Sequence, residues 1–213
     1  GSPAGTITVL ADPYVLSQDH FVADSIEFVT DPVSLAASLS IPASDHPEVS
    51  IIIPVYGKVD YTLRCLASIA STPPEAAFEV IVVDDCSPDD SFDVLSKVQG
   101  IRLLRNEHNL GFIRSCNSGA KAAHGDYLHF LNNDTEVTDG WMDELLTTFS
   151  EHDDAGLVGA KLLYPDGRLQ EAGGIVWKDA SAWNFGRGDD PRRSEFNYTR
   201  ETDYCSGAAI IIE

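Results

Sequence analysis

Residues 79–90 read EVIVVDDCSPDD, and the change of character inside this stretch decides the fold. Val80, Ile81, Val82 and Val83 form an unbroken β-branched run, the pattern of a strand buried on both faces. The run ends in two carboxylates, Asp84 and Asp85. Ser87 then reads as a helix N-cap, with Pro88 at the first helical position, where its missing N–H removes no bond. Phe92, Leu95 and Val98 follow at helical spacing. A buried strand that runs straight into a helix implies parallel neighbours joined by crossovers.

The same alternation extends in both directions. Upstream, SIIIPVY (50–56) is a strand, and Asp60 is expected to cap a helix with Leu63, Leu66 and Ile69 or Ala70 on one face. Downstream, IRLLR (101–105) is a short strand. In NLGFIRSCNSGAKAAHG (109–125), Phe112, Cys116, Ala120 and Ala123 share a helix face, and Gly125 is expected to end the helix. YLHFL (127–131) is a strand, a helix runs from Asp139 through Trp141, Leu145 and Phe149, and GLVGA (156–160) is a further strand. The fold class is therefore α/β, a mostly parallel central sheet flanked by helices. In such sheets ligands lie beyond the carboxyl ends of the strands. There the sequence places Tyr56, Asp84, Asp85, Asn132, Asn133 and Asp134, which are expected to converge.

The flanks are less regular. Residues 1–47 open with GSPAG, which reads as a tag scar, and continue through TITVL, FVADSIEFV and VSLAASLSI as a linker or cap of unassigned role. After Lys161, LLYPDGRLQEAGGIVW reads as a hairpin around Pro165, Asp166 and Gly167. A polar loop from Lys178 to Asp203 follows, without obvious structure of its own; Trp183, Phe185, Phe196 and Tyr198 suggest that it packs. SGAAIIIE closes the chain as a strand with no helix after it, so residues 48–213 read as a domain cut at its C-terminal end.

Composition narrows the function classes. With 34 acidic and 14 basic side chains, the formal charge of −20 opposes nucleic acid and anionic membrane as direct partners. It permits a small anionic ligand neutralised locally by a metal ion or a helix N-terminus. Cys65, Cys86, Cys116 and Cys205 lack metal-site or disulfide-scaffold spacing and read as reduced cytosolic thiols. No apolar run reaches the roughly 18 residues of a membrane span.

Each candidate residue has a plain structural reading beside a chemical one. An acidic pair can start a helix, or it can accept hydrogen bonds from a base N–H and ribose hydroxyls, with Pro54, Val55 and Tyr56 as a wall for the base. Gly111 and Arg114 fit a helix with glycine in its first turn, or a diphosphate site using free N–H groups and a guanidinium. Asn132, Asn133 and Asp134 fit a turn, or a site where Asp134 holds Mg2+ or Mn2+ together with substrate phosphates. A phosphoacceptor receiver domain, with Asp134 as acceptor and Lys161 as sensor, is a further alternative. Only one helix and one strand fit between those two residues, where receivers have about two βα units, and that spacing decides against it.

Taken together, VSIIIPVYG, VIVVDDCSPDD, NxGFxRxxNxG, HGDYLHFLNND and SGAAIII resemble the family 2 glycosyltransferases, in the expected order from Glu48 to Glu213. The resemblance implies a GT-A (Rossmann-like) nucleotide-sugar fold and inverting transfer from a UDP- or dTDP-sugar to a glycan or lipid-linked acceptor. By resemblance, Pro54, Tyr56 and Asp85 surround the base, Asp84 lies close by, and Gly111 and Arg114 line the donor site. Asn132–Asp134 occupies the DxD position, with Asp134 as metal ligand and Asn132 in place of the first acidic residue. The family's catalytic base commonly lies beyond the strand that SGAAIIIE resembles, hence beyond Glu213. Asp203 and Glu201 are the weak candidates within the chain. A non-catalytic nucleotide-sugar binding module of a multidomain protein is the alternative. The common setting of such proteins is bacterial surface-polysaccharide synthesis. The expected location is cytoplasmic, with the membrane's inner face reached through other domains or the acceptor.

Overall fold

The computed structural model describes residues 6–10, by backbone alone, and residues 31–213. The GSPAG and FVADSIEFV pieces lie outside the described residues. The chain forms two compact units, one of Glu27–Gly140 and the other of Trp141–Glu213 together with the strand β1 (Thr6–Leu10).

The first unit carries α1 (Pro32–Ser38), β2 (Val49–Val55), α2 (Val59–Ser71), β3 (Phe78–Asp84), α3 (Ser91–Leu95), β4 (Ile101–Arg105), α4 (Phe112–Ala122) and β5 (Tyr127–Leu131). Its strands are parallel in the order β5-β2-β3-β4. All seven positions of β2 and of β3 are buried, as their continuous apolar runs require, whereas β4 is only partly covered. Ile52 pairs with both Ile81 and Phe130 and packs with Val83 against Ala120 and Ala123. Each fully buried isoleucine contributes about 2 kcal/mol. Gly119 lets α4 approach β2, since a Cβ there would meet Ile52 Cγ2 at 2.4 Å.

Residues 31–47 are attached to this unit. Asp31 caps α1 by accepting the Ser34 N–H at 3.1 Å, with Pro32 inside the first turn. Ile41, buried, donates its N–H to Gln99 O at 2.9 Å.

Four local expectations change. Asp60 does not cap α2: Lys58 takes that place in left-handed backbone (φ 56°), leaving Asp60 in the first turn against the positive end of the helix dipole. Ser87 does not start a helix, because its hydroxyl accepts the Gly57 N–H at 2.7 Å, and α3 begins only at Ser91. Gly125 does not end α4: Ala123 already leaves in extended backbone. Gly125 is needed because a Cβ would lie 2.7 Å from Ser50 N. Phe112 is exposed, since Ser115, Cys116 and Gly119 form the buried stripe of α4.

The second unit continues with α5 (Trp141–Glu151), β6 (Ala155–Ala160), β7 (Leu162–Leu163), β8 (Leu169–Glu171), β9 (Gly174–Val176), β10 (Ala182–Asn184), a 3-10 turn at Ser194–Phe196, β11 (Arg200–Thr202) and β12 (Ala209–Ile212). Its larger sheet runs β11-β1-β6-β12, with β1 parallel to β6 and the outer strands antiparallel to their neighbours. Met142, Leu145 and Thr148 are the buried face of α5, and Trp141 and Phe149 are half-buried. The hairpin around Pro165–Gly167 is present as β7–β8, with Gly167 at φ 80° and the Tyr164 N–H donating to Arg168 O at 2.8 Å.

Lys178–Asp203 is not a structureless loop. It contributes β10 against β9 and β11 against β1. Phe196 is buried against Leu169 and Ala172, its ring 5.1 Å from that of Phe185, over which the Arg200 guanidinium lies at 3.8 Å. Three-residue strands are too short to show a period-two pattern, so side-chain stacking fixes this segment instead. Among the described residues no helix is long and apolar enough to cross a membrane.

Candidate active site

The carboxyl ends of β2 and β3 are stitched together by the residues that follow them. Val55 pairs with Asp84, and the Asp85 N–H donates to Val55 O at 2.8 Å. Gly57 (φ 67°) and Lys58 turn the chain sharply, and their N–H groups donate to Ser87 Oγ at 2.7 Å and to Asp89 Oδ2 at 3.0 Å. Pro54 is buried inside β2, opposite Val83, while Tyr56 stands 54% exposed. The turn thus presents one aromatic ring to solvent on a fixed backbone.

The two adjacent aspartates have different work. Asp84 is fully buried, accepts the Ser87 N–H at 3.3 Å, and faces Arg105 Nε at 3.2 Å. Asp85 reaches the other way. Its Oδ1 accepts Asn106 Nδ2 and the Leu110 N–H, each at 2.8 Å, and its Oδ2 accepts the Gly111 N–H at 2.8 Å. Burial pushes this carboxyl up, but those donors outweigh burial and hold it below the usual carboxylate range. Asp85 therefore fixes the start of α4. Gly111 lies there at φ 81°, with open space where a Cβ would stand, and Arg114 is exposed one turn on.

Beyond β5, the Asn132–Asp134 loop is held by one face of α2. Asn133 Nδ2 donates to Thr62 Oγ1 at 3.0 Å, and Cys65 Sγ lies 3.8 Å from Asn132 O. The Val137 N–H donates to Ser68 Oγ at 3.0 Å, and Glu136 pairs with Arg64. Burial, with Asp134 and Glu136 nearby, pushes the Cys65 thiol up, so Cys65 packs as a neutral group. Asp134 is exposed, and the buried Asn132 Oδ1 has no hydrogen-bond partner among the described residues. Among those residues no group of three His, Cys, Asp or Glu side chains is gathered for a metal ion.

The strand-end groups named from the sequence thus all belong to the first unit, at the ends of β2, β3 and β5 and the start of α4. Ser87, Asp89, Asn106, Thr62 and Arg64 were missed, although each holds one of these loops. Their signal, a polar residue facing a partner distant in sequence, has no local pattern. The late acidic residues lie in the second unit. Glu201 is exposed, and Asp203 Oδ2 accepts the Val176 N–H at 2.8 Å. Lys161 Nζ donates to Asn197 Oδ1 at 2.7 Å in that unit, which engages the ammonium the receiver reading required.

Comparison with known proteins shows what this chain is similar to. The family model described as glycosyl transferase family 2 matches residues 50–211. The O-antigen biosynthesis protein RfbC of Myxococcus xanthus is 32% identical over 182 residues, covering 82% of this chain and 14% of that protein. Human polypeptide N-acetylgalactosaminyltransferase 14 is 33% identical over 147 residues, 66% of this chain and 27% of that protein. Among solved structures, S. aureus TarS 1-349 is 27% identical with a TM-score of 0.48, over 54% of this chain and 35% of that one. A mannosyltransferase from Pyrobaculum calidifontis, solved with GDP-Man and Mn2+, is 18% identical with a TM-score of 0.49, over 60% and 39%.

Proposed function

The chain belongs to glycosyl transferase family 2, and from that premise we propose that it binds a nucleotide-diphosphate sugar, UDP- or dTDP-linked, at the carboxyl ends of β2, β3 and β5. The reaction this site serves is transfer of that sugar with inversion to a glycan or lipid-linked acceptor. The observation that carries this reading is the bonding of the β2 and β3 ends to each other and to the start of α4, around an exposed aromatic ring and a buried acidic pair, with β5 as the sheet neighbour of β2. The name of the Myxococcus relative supports a polysaccharide setting, although this chain spans only 14% of it.

In this reading Pro54 and Tyr56 form the wall for the base. Asp85 positions the 106–111 loop beside the base, its carboxylate being taken up by Asn106, Leu110, Gly111 and the Ser115 hydroxyl. Asp84 holds the turn beneath it. The N–H groups of the α4 turn after Gly111, with Arg114, face the diphosphate. Asn132 and Asn133 offer carbonyl oxygens and amides to the ribose. Asp134, together with the unpartnered Asn132 Oδ1, suits Mg2+ or Mn2+ held largely by substrate phosphates and water, and does not suit a cage made by protein alone. When bound, such an ion offsets the charge on the leaving diphosphate. In the transfer itself the acceptor oxygen bonds to the anomeric carbon, the bond to the diphosphate breaks, and the acceptor proton passes to a carboxylate acting as general base. The location proposed with this activity is the cytoplasm.

Calorimetric titration with UDP and dTDP, with and without Mn2+, tests this. Wild-type protein is expected to bind at least one nucleotide more tightly with Mn2+. Asp134→Ala is expected to lose at least tenfold, about 1.4 kcal/mol, of the affinity measured with Mn2+. Absence of binding in every condition overturns the reading. Binding unaffected by both Mn2+ and the substitution favours the non-catalytic module instead.

A further inference from the structure

We propose that the β9–β10 hairpin and the turn after it form a carbohydrate subsite that takes one or two uncharged sugar residues. That these belong to the transfer acceptor rests on the reading above; the sugar binding does not.

The hairpin leaves two indoles in solvent, Trp177 at 49% and Trp183 at 64%, with ring centroids 6.0 Å apart and edge to face. A contiguous exposed aromatic patch of this kind is uncommon unless it is used. Beside Trp183 lies a cleft of about 560 Å³ lined also by Asn184, Arg187 and Asp189, within the size range of small-ligand sites.

The polar groups of the cleft are held in place by the chain itself. Asn184 Oδ1 accepts the Tyr204 hydroxyl at 2.8 Å, and Arg187 Nε donates to the Tyr164 hydroxyl at 3.0 Å. Asp189 Oδ1 faces Arg193 at 3.5 Å. The amide NH2 of Asn184, the terminal nitrogens of Arg187 and the second oxygen of Asp189 are left to a ligand. The scaffold beneath is fixed too. A Cβ on Gly174 would stand 2.1 Å from the Tyr204 ring, and the Val176 N–H donates to Asp203 Oδ2.

The chemistry selects the ligand class. A pyranose presents a flat patch of C–H groups for an indole face and a rim of hydroxyls that both donate and accept. Planar amide, guanidinium and carboxylate groups match that rim in pairs. One arginine and one aspartate line the cleft, so its formal charge cancels, which suits a neutral ligand better than a phosphate or a polyamine. An anionic lipid surface is further disfavoured by the chain's net charge of −20.

Saturation-transfer NMR tests the subsite with four probes: methyl β-galactoside, methyl β-N-acetylglucosaminide, methyl α-rhamnoside and chitotetraose. At least one is expected to bind wild-type protein, and Trp183→Ala to weaken that probe at least tenfold. Arg187→Gln, an exposed change, is a second variant, expected to weaken it threefold or more should Trp183→Ala fail to fold. No binding by any probe overturns the subsite, as does binding that folded variants leave unchanged. Calorimetry with UDP on the same preparation separates the two readings: sugar binding without nucleotide binding sinks the transferase reading alone, and the converse sinks the subsite alone.

Discussion

Asp85 in the first unit and Asp203 in the second do similar work, each accepting a backbone N–H from a neighbouring segment, but in opposite settings. Asp85 is 4% exposed and receives three donors, so the loop to α4 is tied into the sheet core. Asp203 is exposed and receives one, from a hairpin whose aromatic side faces water. The first unit builds its candidate site on long buried strands whose polar ends hold one another. The second displays side chains on short hairpins pinned at a few points. A site of the first kind should be stiff and costly to alter, whereas one of the second kind should tolerate change.

Substitution at the two aspartates breaks the comparison most directly. Asp85→Ala leaves the half-buried Leu110 N–H without an acceptor and takes one of two acceptors from each of Asn106 Nδ2 and the Gly111 N–H, and is expected to cost about 3 kcal/mol. Asp203→Ala is expected to cost less than about 1 kcal/mol. Urea titrations of both variants check this, and equal losses would erase the distinction.

A smaller effect sharpens the same contrast through pH. Burial pushes the His129 imidazole on β5 down from 6.5 to about 3, so the folded chain keeps it neutral while the unfolded chain takes up a proton. Between those values the unfolded state binds more protons, so stability falls as pH falls. The expected loss between pH 7.5 and pH 5 is on the order of 2 kcal/mol. His129→Leu should flatten that slope in urea titrations, and an unchanged slope would remove His129 as its source.

The first unit was legible in the sequence because runs such as Ile51–Ile53 and Val80–Val83 announce strands buried on both faces, and their polar ends mark the candidate site. What stayed hidden was long-range: Ser87 serving Gly57 instead of capping a helix, and Thr62 on α2 holding Asn133. The second unit was hardly legible past Gly167. Ala182–Asn184 and Arg200–Thr202 are three residues each, below the length at which alternation can be read, and Arg200 over Phe185 joins residues with no shared pattern. The residues that carry the proposed sugar subsite fell in that unread segment.

The central claim is that the nucleotide lies at the ends of β2, β3 and β5. Amide chemical-shift mapping by 1H–15N NMR during titration with UDP and Mg2+ tests it most directly. The expected result is saturable shifts at Tyr56–Lys58, Asn109–Arg114 and Asn132–Glu136. Saturable shifts confined to residues 141–213, or none at millimolar UDP, would contradict it.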